Sequence, residues 1–239
     1  MNPNPAYAMP DMSAENLPHA ILFDLDNTLC TFVDAKQTAC QAVIRVTGSG
    51  SADDLFRYFL RPVHNFEDTA HISDYFKDLG MNNPDLEHIA KETYEQVKLD
   101  ALSLYPHVKE TLEFITQAAI PIAVVTDADW SHAKKRMDKL KISNFFPVLI
   151  TQDIAGRRKP DHKPFHMALE ALEVKAEQSW IVGDSLRREM APGIELGMTT
   201  VFAKYGDWIG VDIPEIKPRY TLNQFHHLLS LPGLDSIRS

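Results

Sequence analysis

Positive charge, long apolar runs and cysteine are all scarce in this chain. Among its 239 residues, 24 Lys and Arg stand against 33 Asp and Glu, which gives a formal net charge of −9. A general nucleic-acid binder, or a protein held to an anionic membrane, needs surplus positive charge to meet phosphate groups. The composition therefore argues against nucleic-acid and membrane partners.

The longest uninterrupted apolar run, residues 118–125, has eight residues and contains a proline, whereas a membrane-spanning helix needs about 20. The first basic residue is Lys36, so the start of the chain lacks the positive end of a secretory signal and the arginines of a transit peptide. Two cysteines, Cys30 and Cys40, are too few for a disulfide framework or a thiolate metal cluster. We therefore expect a cytoplasmic protein with reduced thiols and no transmembrane helix.

Short apolar runs alternate with amphipathic stretches over most of the chain. The runs end abruptly in polar residues, a pattern typical of parallel strands buried on both faces. They cover residues 20–23, 121–126, 147–151, 180–183 and 199–203. Amphipathic patterns typical of helices cover residues 108–117, 131–140, 164–172 and 186–196. This alternation predicts an α/β fold with a doubly wound, Rossmann-like parallel sheet.

The interval between the first two predicted strands breaks the alternation, because four helical patterns follow one another there. They cover residues 34–46, 52–60, 72–79 and 84–104. Residues 1–18 hold four prolines and show no periodicity, which predicts a flexible segment. We therefore expect three parts, which are a flexible segment at residues 1–18, a core formed by residues 19–32 and 105–239, and an inserted α-helical domain at residues 33–104 that can act as a lid.

Polar and charged side chains follow several of the predicted strands. In an open parallel sheet, ligands bind beyond the carboxyl ends of the strands. The side chains expected at this rim are Asp24, Asp26, Thr126, Asp127, Lys159, Asp184 and Glu189. Two like charges about 4 Å apart repel by roughly 4 kcal/mol at an effective dielectric of 20, so this concentration of carboxylates favours a bound cation. Oxygen-only ligands indicate Mg²⁺ rather than zinc.

Four motifs in this order resemble those of the haloacid dehalogenase-like (HAD) superfamily. They are Asp24-Leu25-Asp26-Asn27-Thr28, Thr126 after Ala123-Val124-Val125, Lys159 in Arg158-Lys159-Pro160-Asp161, and Gly183-Asp184-Ser185 followed by Glu189. The resemblance covers about residues 20–205. It implies a HAD-like catalytic core, and it identifies the helical insertion as similar to the family's cap placed after the first motif.

The resemblance also implies a role for each residue that matches a motif. Asp24 would be the nucleophile that forms an aspartyl-phosphate, and Asp26 would act as general acid and base. Thr126 and Lys159 would bind and stabilise the phosphoryl oxygens. Asp127, which stands where the family commonly has Asn, is a candidate substrate contact.

For the metal, the resemblance implies a Mg²⁺ ion held by Asp24, Asp26 through its backbone carbonyl, and Asp184. Glu189 is a fourth candidate ligand. It stands where the family more often has Asp, one methylene shorter, so its contact with the metal is either direct or through water. Relatives that dehalogenate or cleave carbon–phosphorus bonds carry a non-acid at the position of Asp26. An acid there favours a phosphatase or a phosphomutase.

We therefore expect a Mg²⁺-dependent phosphoric monoester hydrolase whose partner is a small-molecule phosphomonoester, working as a monomer or a homodimer. A phosphomutase of the same superfamily is the nearest alternative, because its two aspartates would look the same. A non-catalytic binding protein predicts a damaged nucleophile, and Asp24 is intact. A receiver-like phospho-acceptor is disfavoured by the long insertion after the first strand.

Overall fold

The structure is a computed structural model that describes residues 17–238. The predicted flexible segment at residues 1–18 falls almost wholly outside the described residues. No helix in the described part of the chain is both long enough and apolar enough to cross a membrane.

A six-stranded parallel sheet forms the centre of the molecule. Its strands are β1 (Ala20–Phe23), β2 (Ile122–Val125), β3 (Val148–Ile150), β4 (Ser179–Gly183), β5 (Thr199–Ala203) and β6 (Tyr220–Leu222). Their order across the sheet is β3-β2-β1-β4-β5-β6, so the chain reverses its direction of travel between β1 and β4. The predicted doubly wound α/β fold is confirmed. The reversal point is where such sheets bind ligands.

Nine α-helices accompany the strands in the described residues. They are α1 (Phe32–Thr47), α2 (Ala52–Phe59), α3 (Ala70–Asp78), α4 (Pro84–Asp100), α5 (Val108–Gln117), α6 (Trp130–Lys139), α7 (Gln152–Ala155), α8 (Lys163–Ala171) and α9 (Ala191–Glu195). Helices α5 to α9 belong to the crossovers between strands, where their apolar faces bury the sheet.

Helices α1 to α4 lie between β1 and β2 in the chain, and we call them the helical insertion. Local signals set their ends, since α1 stops at Gly48 in a left-handed conformation and α4 starts with Pro84 after the capping side chain of Asn83. Most of their buried apolar side chains pack on one another in a cluster separate from those of the sheet, and Phe32 and Ala35 of α1 pack in a smaller cluster with Cys30. Its assignment as a cap domain with bounds at residues 33 and 104 stays a prediction.

Two differences from the sequence-based elements affect the sheet and the site. Strand β6 was not expected, because a three-residue edge strand after a proline-containing segment carries almost no periodic signal. The expected helix at residues 186–196 is instead a π-helical turn, Leu186–Met190, followed by the short α9. In this turn the amide of Met190 donates to the carbonyl oxygen of Ser185, five residues back.

Candidate active site

The predicted rim residues come together because the sheet pairing continues one residue past the strands. The amide of Asp24 donates to the carbonyl of Val182 at 2.9 Å, and the amide of Thr126 donates to the carbonyl of Ile150 at 2.9 Å. These bonds fix the backbone at the points where both side chains leave the sheet. Asp184 follows β4 in the same way, so the three residues lie at one edge of the sheet.

Asp24 is buried, with 2% of its surface exposed, and both of its carboxylate oxygens are held. The hydroxyl of Thr28 donates to Oδ2 at 3.1 Å. Nζ of Lys159 donates to Oδ1 at 2.5 Å. The carboxylate is therefore fixed in orientation, as a nucleophile must be.

Lys159 is the cation at the centre of the site. Its ammonium lies 2.7 Å from Oε1 of Glu189 and donates to the carbonyl oxygen of Val125 at 3.0 Å, in addition to Asp24. Burial alone would lower the pKa of Lys159, but the carboxylates of Asp24 and Glu189 outweigh it and raise the pKa above its ordinary value. Lys159 therefore stays charged beside the Asp24 carboxylate.

Asp127 holds the loop that carries this lysine. Its Oδ1 accepts a hydrogen bond from the backbone amide of Lys159 at 2.9 Å, and its Oδ2 lies 3.7 Å from the guanidinium of Arg188. Thr126, next to it, uses its hydroxyl to accept from the amide of Ala128 at 3.2 Å. Both residues line the cavity described below, and their roles as substrate contacts stay predictions.

Asp184 and Glu189 complete the acidic side of the site. Burial raises the pKa of Asp184 well above its ordinary value, and the charges of Asp24 and Glu189 add to the rise. The π-helical turn brings Glu189 back so that its Oε2 accepts from the amide of Ser185 at 3.0 Å. Gly183 makes room for this, since a Cβ at residue 183 would collide with the side chain of Glu189.

The donor set fits Mg²⁺. Mg²⁺ is usually bound by one or two carboxylates and completes its octahedron with water and substrate oxygens. Asp24 and Asp184 supply two buried carboxylates, and a bound cation would offset the repulsion between their negative charges. No group of three or more His, Cys, Asp and Glu side chains in residues 17–238 is arranged to enclose a metal alone. Oε2 of Glu189 accepts the amide of Ser185, while Oε1 forms an ion pair with Lys159 and has no hydrogen-bond partner in the described residues, so the metal role of Glu189 stays a prediction.

Asp26 lies beside Asp24 and is paired with a residue that the sequence analysis missed. Nη1 of Arg136, from α6, donates to Oδ2 of Asp26 at 2.5 Å, and Nη2 of Arg136 donates to Glu67 of the helical insertion. Burial, which Arg136 opposes and Glu67 reinforces, raises the pKa of Asp26 to about 7. A carboxyl group with such a pKa can both give and take a proton at neutral pH.

One signal could have pointed to Arg136. Within α6, Ala133, Arg136 and Met137 form the buried stripe, so a charged residue occupies a position where the helical period places an apolar one. A buried cation of this kind needs a carboxylate partner. The partner Glu67 is 69 residues away in the chain, and nothing local to either residue links them.

A cavity of about 460 Å³ opens above the rim, between the core and the helical insertion. Asp24, Asp26 and Lys159 line it from the core, while Trp208 lines it from the segment after β5. The insertion contributes Phe32, Phe59, Leu60, Arg61, His64, Asn65, Phe66 and Glu67. Trp208 stacks on Phe66, with ring centroids 6.1 Å apart and planes 10° apart. The cavity therefore has a polar floor and a largely aromatic roof.

A sequence model of the family described as haloacid dehalogenase-like hydrolase matches residues 21–203 of the chain. The chain is 28% identical over 218 residues to a glyceraldehyde 3-phosphate phosphatase from Methanocaldococcus jannaschii, covering 88% of this chain and 95% of that one. It is 26% identical over 233 residues to a phosphoglycolate phosphatase from Pseudomonas savastanoi, covering 92% and 81% of the two chains.

Solved structures with the same fold include proteins of more than one activity. A Thermotoga maritima protein assigned as a β-phosphoglucomutase superposes with a TM-score of 0.73 at 19% identity, over 92% of this chain and 98% of that one. A Bacillus subtilis protein assigned as the HAD-hydrolase YfnB, bound to magnesium, gives a TM-score of 0.68 at 17% identity, over 92% and 100%. At these identities the likeness shows the shared fold.

Proposed function

The chain belongs to the phosphatase branch of the haloacid dehalogenase-like hydrolases, and from that membership we propose that it is a Mg²⁺-dependent phosphatase of a small organic phosphomonoester. The observation that carries the proposal is the buried Asp24 carboxylate, oriented by Thr28 and Lys159 at the floor of a cavity that also exposes Asp26. That is the arrangement of a nucleophile with an adjacent acid and base.

In the first step, a carboxylate oxygen of Asp24 attacks phosphorus and the bond to the leaving-group oxygen breaks. Asp26 gives its proton to that oxygen, and the product is an aspartyl-phosphate on Asp24. In the second step, water attacks phosphorus, Asp26 takes the proton of the water, and the Asp24 carboxylate is regenerated with release of inorganic phosphate.

The other residues of the site supply charge and position. Lys159 keeps a positive charge beside the phosphoryl group, and the hydroxyl of Thr126 is placed to donate to a phosphoryl oxygen. Mg²⁺, bound by the carboxylates of Asp24 and Asp184 with the carbonyl of Asp26, would neutralise the phosphoryl oxygens.

The size of the cavity favours a small substrate. About 460 Å³ holds a phosphate group with a leaving group such as a sugar, glycolate or nucleoside. The relatives named glyceraldehyde 3-phosphate and phosphoglycolate phosphatase act on small esters of this kind. We propose that the helical insertion selects among them as a cap. A cytoplasmic location, and a monomeric or dimeric state, stay predictions.

The proposal is tested by release of inorganic phosphate from p-nitrophenyl phosphate and from a panel of phosphorylated metabolites, with Mg²⁺ and with chelator. Asp24→Asn should abolish release while keeping the melting temperature, because the amide is nearly isosteric and a poor nucleophile. Asp129→Asn, which changes another carboxylate lining the cavity, is the matched control and should retain activity. Release that persists in Asp24→Asn would refute the nucleophile assignment.

A phosphomutase is the second candidate, and the structural likeness to a protein assigned as a β-phosphoglucomutase is the observation that favours it. A mutase returns the phosphoryl group to the substrate instead of passing it to water. The two are distinguished by incubating sugar monophosphates with a trace of the bisphosphate. Isomerised sugar phosphate without inorganic phosphate would replace the phosphatase proposal with the mutase.

A further inference from the structure

Arg136 joins the core to the helical insertion through two carboxylates. Its Nη1 donates to Oδ2 of Asp26 at 2.5 Å, and its Nη2 donates to Oε2 of Glu67. The side chain of Arg136 is 3% exposed, and its guanidinium lies 3.9 Å from the ring centroid of Phe32 at the start of α1. A single buried cation therefore touches both the core acid and the insertion that roofs the cavity.

Geometry explains why an arginine suits this place. A guanidinium is a planar fork whose N–H groups point in fixed directions, whereas a lysine ammonium is a point charge on a flexible stem. The ring of Phe32 supports one face of the fork. With Oδ2 of Asp26 bound in a fixed direction, its Oδ1 lies near the weak thiol donor of Cys30, 3.9 Å away. The carboxyl plane of Asp26 is thus set by contacts outside the motif that contains it.

We propose that Arg136 is a positioning residue that holds the Asp26 carboxyl in line with the leaving-group oxygen, and that Glu67 of the helical insertion fixes Arg136 in this position. The inference rests on the proposed phosphatase function and on Asp26 as its acid. It assigns a role to a pair of residues outside all four motifs. It also gives the insertion a part in the chemistry besides selecting the substrate.

This role makes a distinctive kinetic prediction. A general acid matters in proportion to the basicity of the leaving group, because a stable phenolate departs without a proton and a basic one does not. Loss of a positioned acid should therefore slow poor leaving groups far more than good ones. Loss of fold, metal or phosphate binding would slow all esters alike.

The experiment measures kcat/KM of wild type and variants with phenyl, 4-nitrophenyl and 2,4-dinitrophenyl phosphate, three esters of similar size and decreasing leaving-group basicity. The quantity kcat/KM reports only the steps up to formation of the aspartyl-phosphate, so the later hydrolysis does not enter. For Arg136→Leu we expect kcat/KM for phenyl phosphate to fall on the order of 10–100-fold, less than the roughly 10²–10⁴-fold contribution of a whole general acid, because Asp26 is displaced and not removed. For the dinitrophenyl ester, kcat/KM should change by less than about threefold.

Two further variants should show smaller losses with the same dependence on the leaving group. Arg136→Lys keeps the charge without the fork, so it should lie between wild type and Arg136→Leu. Glu67→Gln should lower phenyl phosphate turnover by a smaller factor than Arg136→Leu, with the same dependence on the leaving group. Where Arg136→Leu fails to fold, the comparison of esters is made with these two variants.

Lys139→Leu is the matched control, because Lys139 lies on the same helix α6 and pairs with Asp100 of the insertion at 3.1 Å without touching Asp26. It should leave the dependence on the leaving group unchanged. Equal losses for all three esters in the Arg136 and Glu67 variants, or a steeper dependence in Lys139→Leu as well, would overturn the proposal. Failure of the wild type to release phosphate in an Asp24-dependent way would instead refute the proposed function.

Discussion

Lys159 balances more buried negative charge than any other residue of the site. Its side chain is fully buried, with the carboxylates of Asp24 and Glu189 at 2.5 and 2.7 Å. Removing Lys159 from this cluster would leave Asp24 and Glu189 buried without their direct ion-pair partner, with Arg188 as the remaining nearby cation. The lysine is therefore a structural cation in addition to its proposed catalytic role.

We predict that Lys159→Met lowers the free energy of unfolding by about 3–5 kcal/mol in chelator-containing buffer, the usual cost of breaking a buried ion pair from one side. Urea unfolding followed by circular dichroism measures the change. Phosphate release should fall to background in the same variant, because the phosphoryl charge loses its partner.

The double variant Lys159→Met with Glu189→Gln is the control for this interpretation. It removes one of the two unpaired charges, so it should recover a large part of the lost stability while staying inactive. A double variant as unstable as Lys159→Met alone would show that packing, and not uncompensated charge, causes the loss.

The grouping of the candidate carboxylates could be predicted at the residue scale, because each follows a buried apolar run and strand ends share one edge of a parallel sheet. The sequence alone also suggests that Lys159 affects turnover far more than stability, and its complete burial changes that expectation. Arg136 and Glu67 could not be paired in advance. Their contact depends on how the insertion docks on α6, and no local pattern encodes that docking.

At the scale of elements, helix α1 buries a second lysine in an unusual place. The ammonium of Lys36 lies 3.6 Å from the ring centroid of Phe66 and 4.2 Å from that of Phe59, and it donates to the carbonyl oxygen of Phe66. Burial lowers the pKa of Lys36 from 10.5 to about 7, although the nearby charge of Glu67 opposes the fall. The stability of the folded insertion therefore depends on whether Lys36 carries its proton.

The sign of the linkage follows from the two pKa values. Between pH 7 and 10.5 the unfolded chain holds the proton on Lys36 and the folded chain does not, so raising the pH stabilises the folded state. Below pH 7 both states are protonated and the contribution is constant. Relative to Lys36→Met, which lacks the group, the wild type should gain about 2–3 kcal/mol of unfolding free energy from pH 7 to 9.5.

Urea unfolding of both proteins at pH 5.5, 7 and 9.5 measures this difference. Glu67, Lys98 and Cys40 also face the ammonium, but both proteins retain them, so the comparison isolates Lys36. The difference in unfolding free energy between the two proteins should change little from pH 5.5 to 7 and should shift in favour of wild type from pH 7 to 9.5. A gap that is the same at all three pH values would mean that the ammonium stays charged inside its ring of aromatic side chains.

Elements with a strong period were predictable and irregular ones were not. The five predicted apolar runs form strands β1 to β5, and the helical pattern predicted over residues 34–46 lies within α1. The sequence predicts an ordinary α-helix where the π-helical turn Leu186–Met190 lies. Hydrogen bonds between residues five apart do not change the spacing of apolar residues, so the pattern cannot reveal them. This turn places Glu189 in contact with Lys159. The element that was predicted wrongly is therefore part of the candidate site.

At the scale of the whole molecule, the insertion and the core bury largely separate apolar clusters. The two clusters around the sheet contain no residue from the helical insertion, and the insertion's main cluster contains none from the sheet. A small fourth cluster joins Phe32 and Ala35 of α1 to Cys30, with Leu140 of the core packed against it. The two connecting segments run side by side, where the amide of Thr31 donates to the carbonyl of Ser103 at 3.0 Å, and that of Tyr105 to Leu29 at 3.0 Å. The insertion thus leaves and rejoins the core at one point.

This arrangement predicts that the core folds without the insertion. Replacing residues 32–102 with a short Gly-Ser linker between Thr31 and Ser103 should give a protein that unfolds cooperatively in urea, because the sheet keeps its complete apolar clusters. It should still hydrolyse p-nitrophenyl phosphate in an Asp24-dependent way. Its ratio of kcat/KM between the best and the worst metabolite should shrink by about tenfold or more, since the roof of the cavity is gone.

The intact protein and Asp24→Asn in the shortened chain are the controls. Unchanged selectivity would show that the core alone chooses the substrate, and a non-cooperative transition would show that the sheet depends on the insertion for its stability.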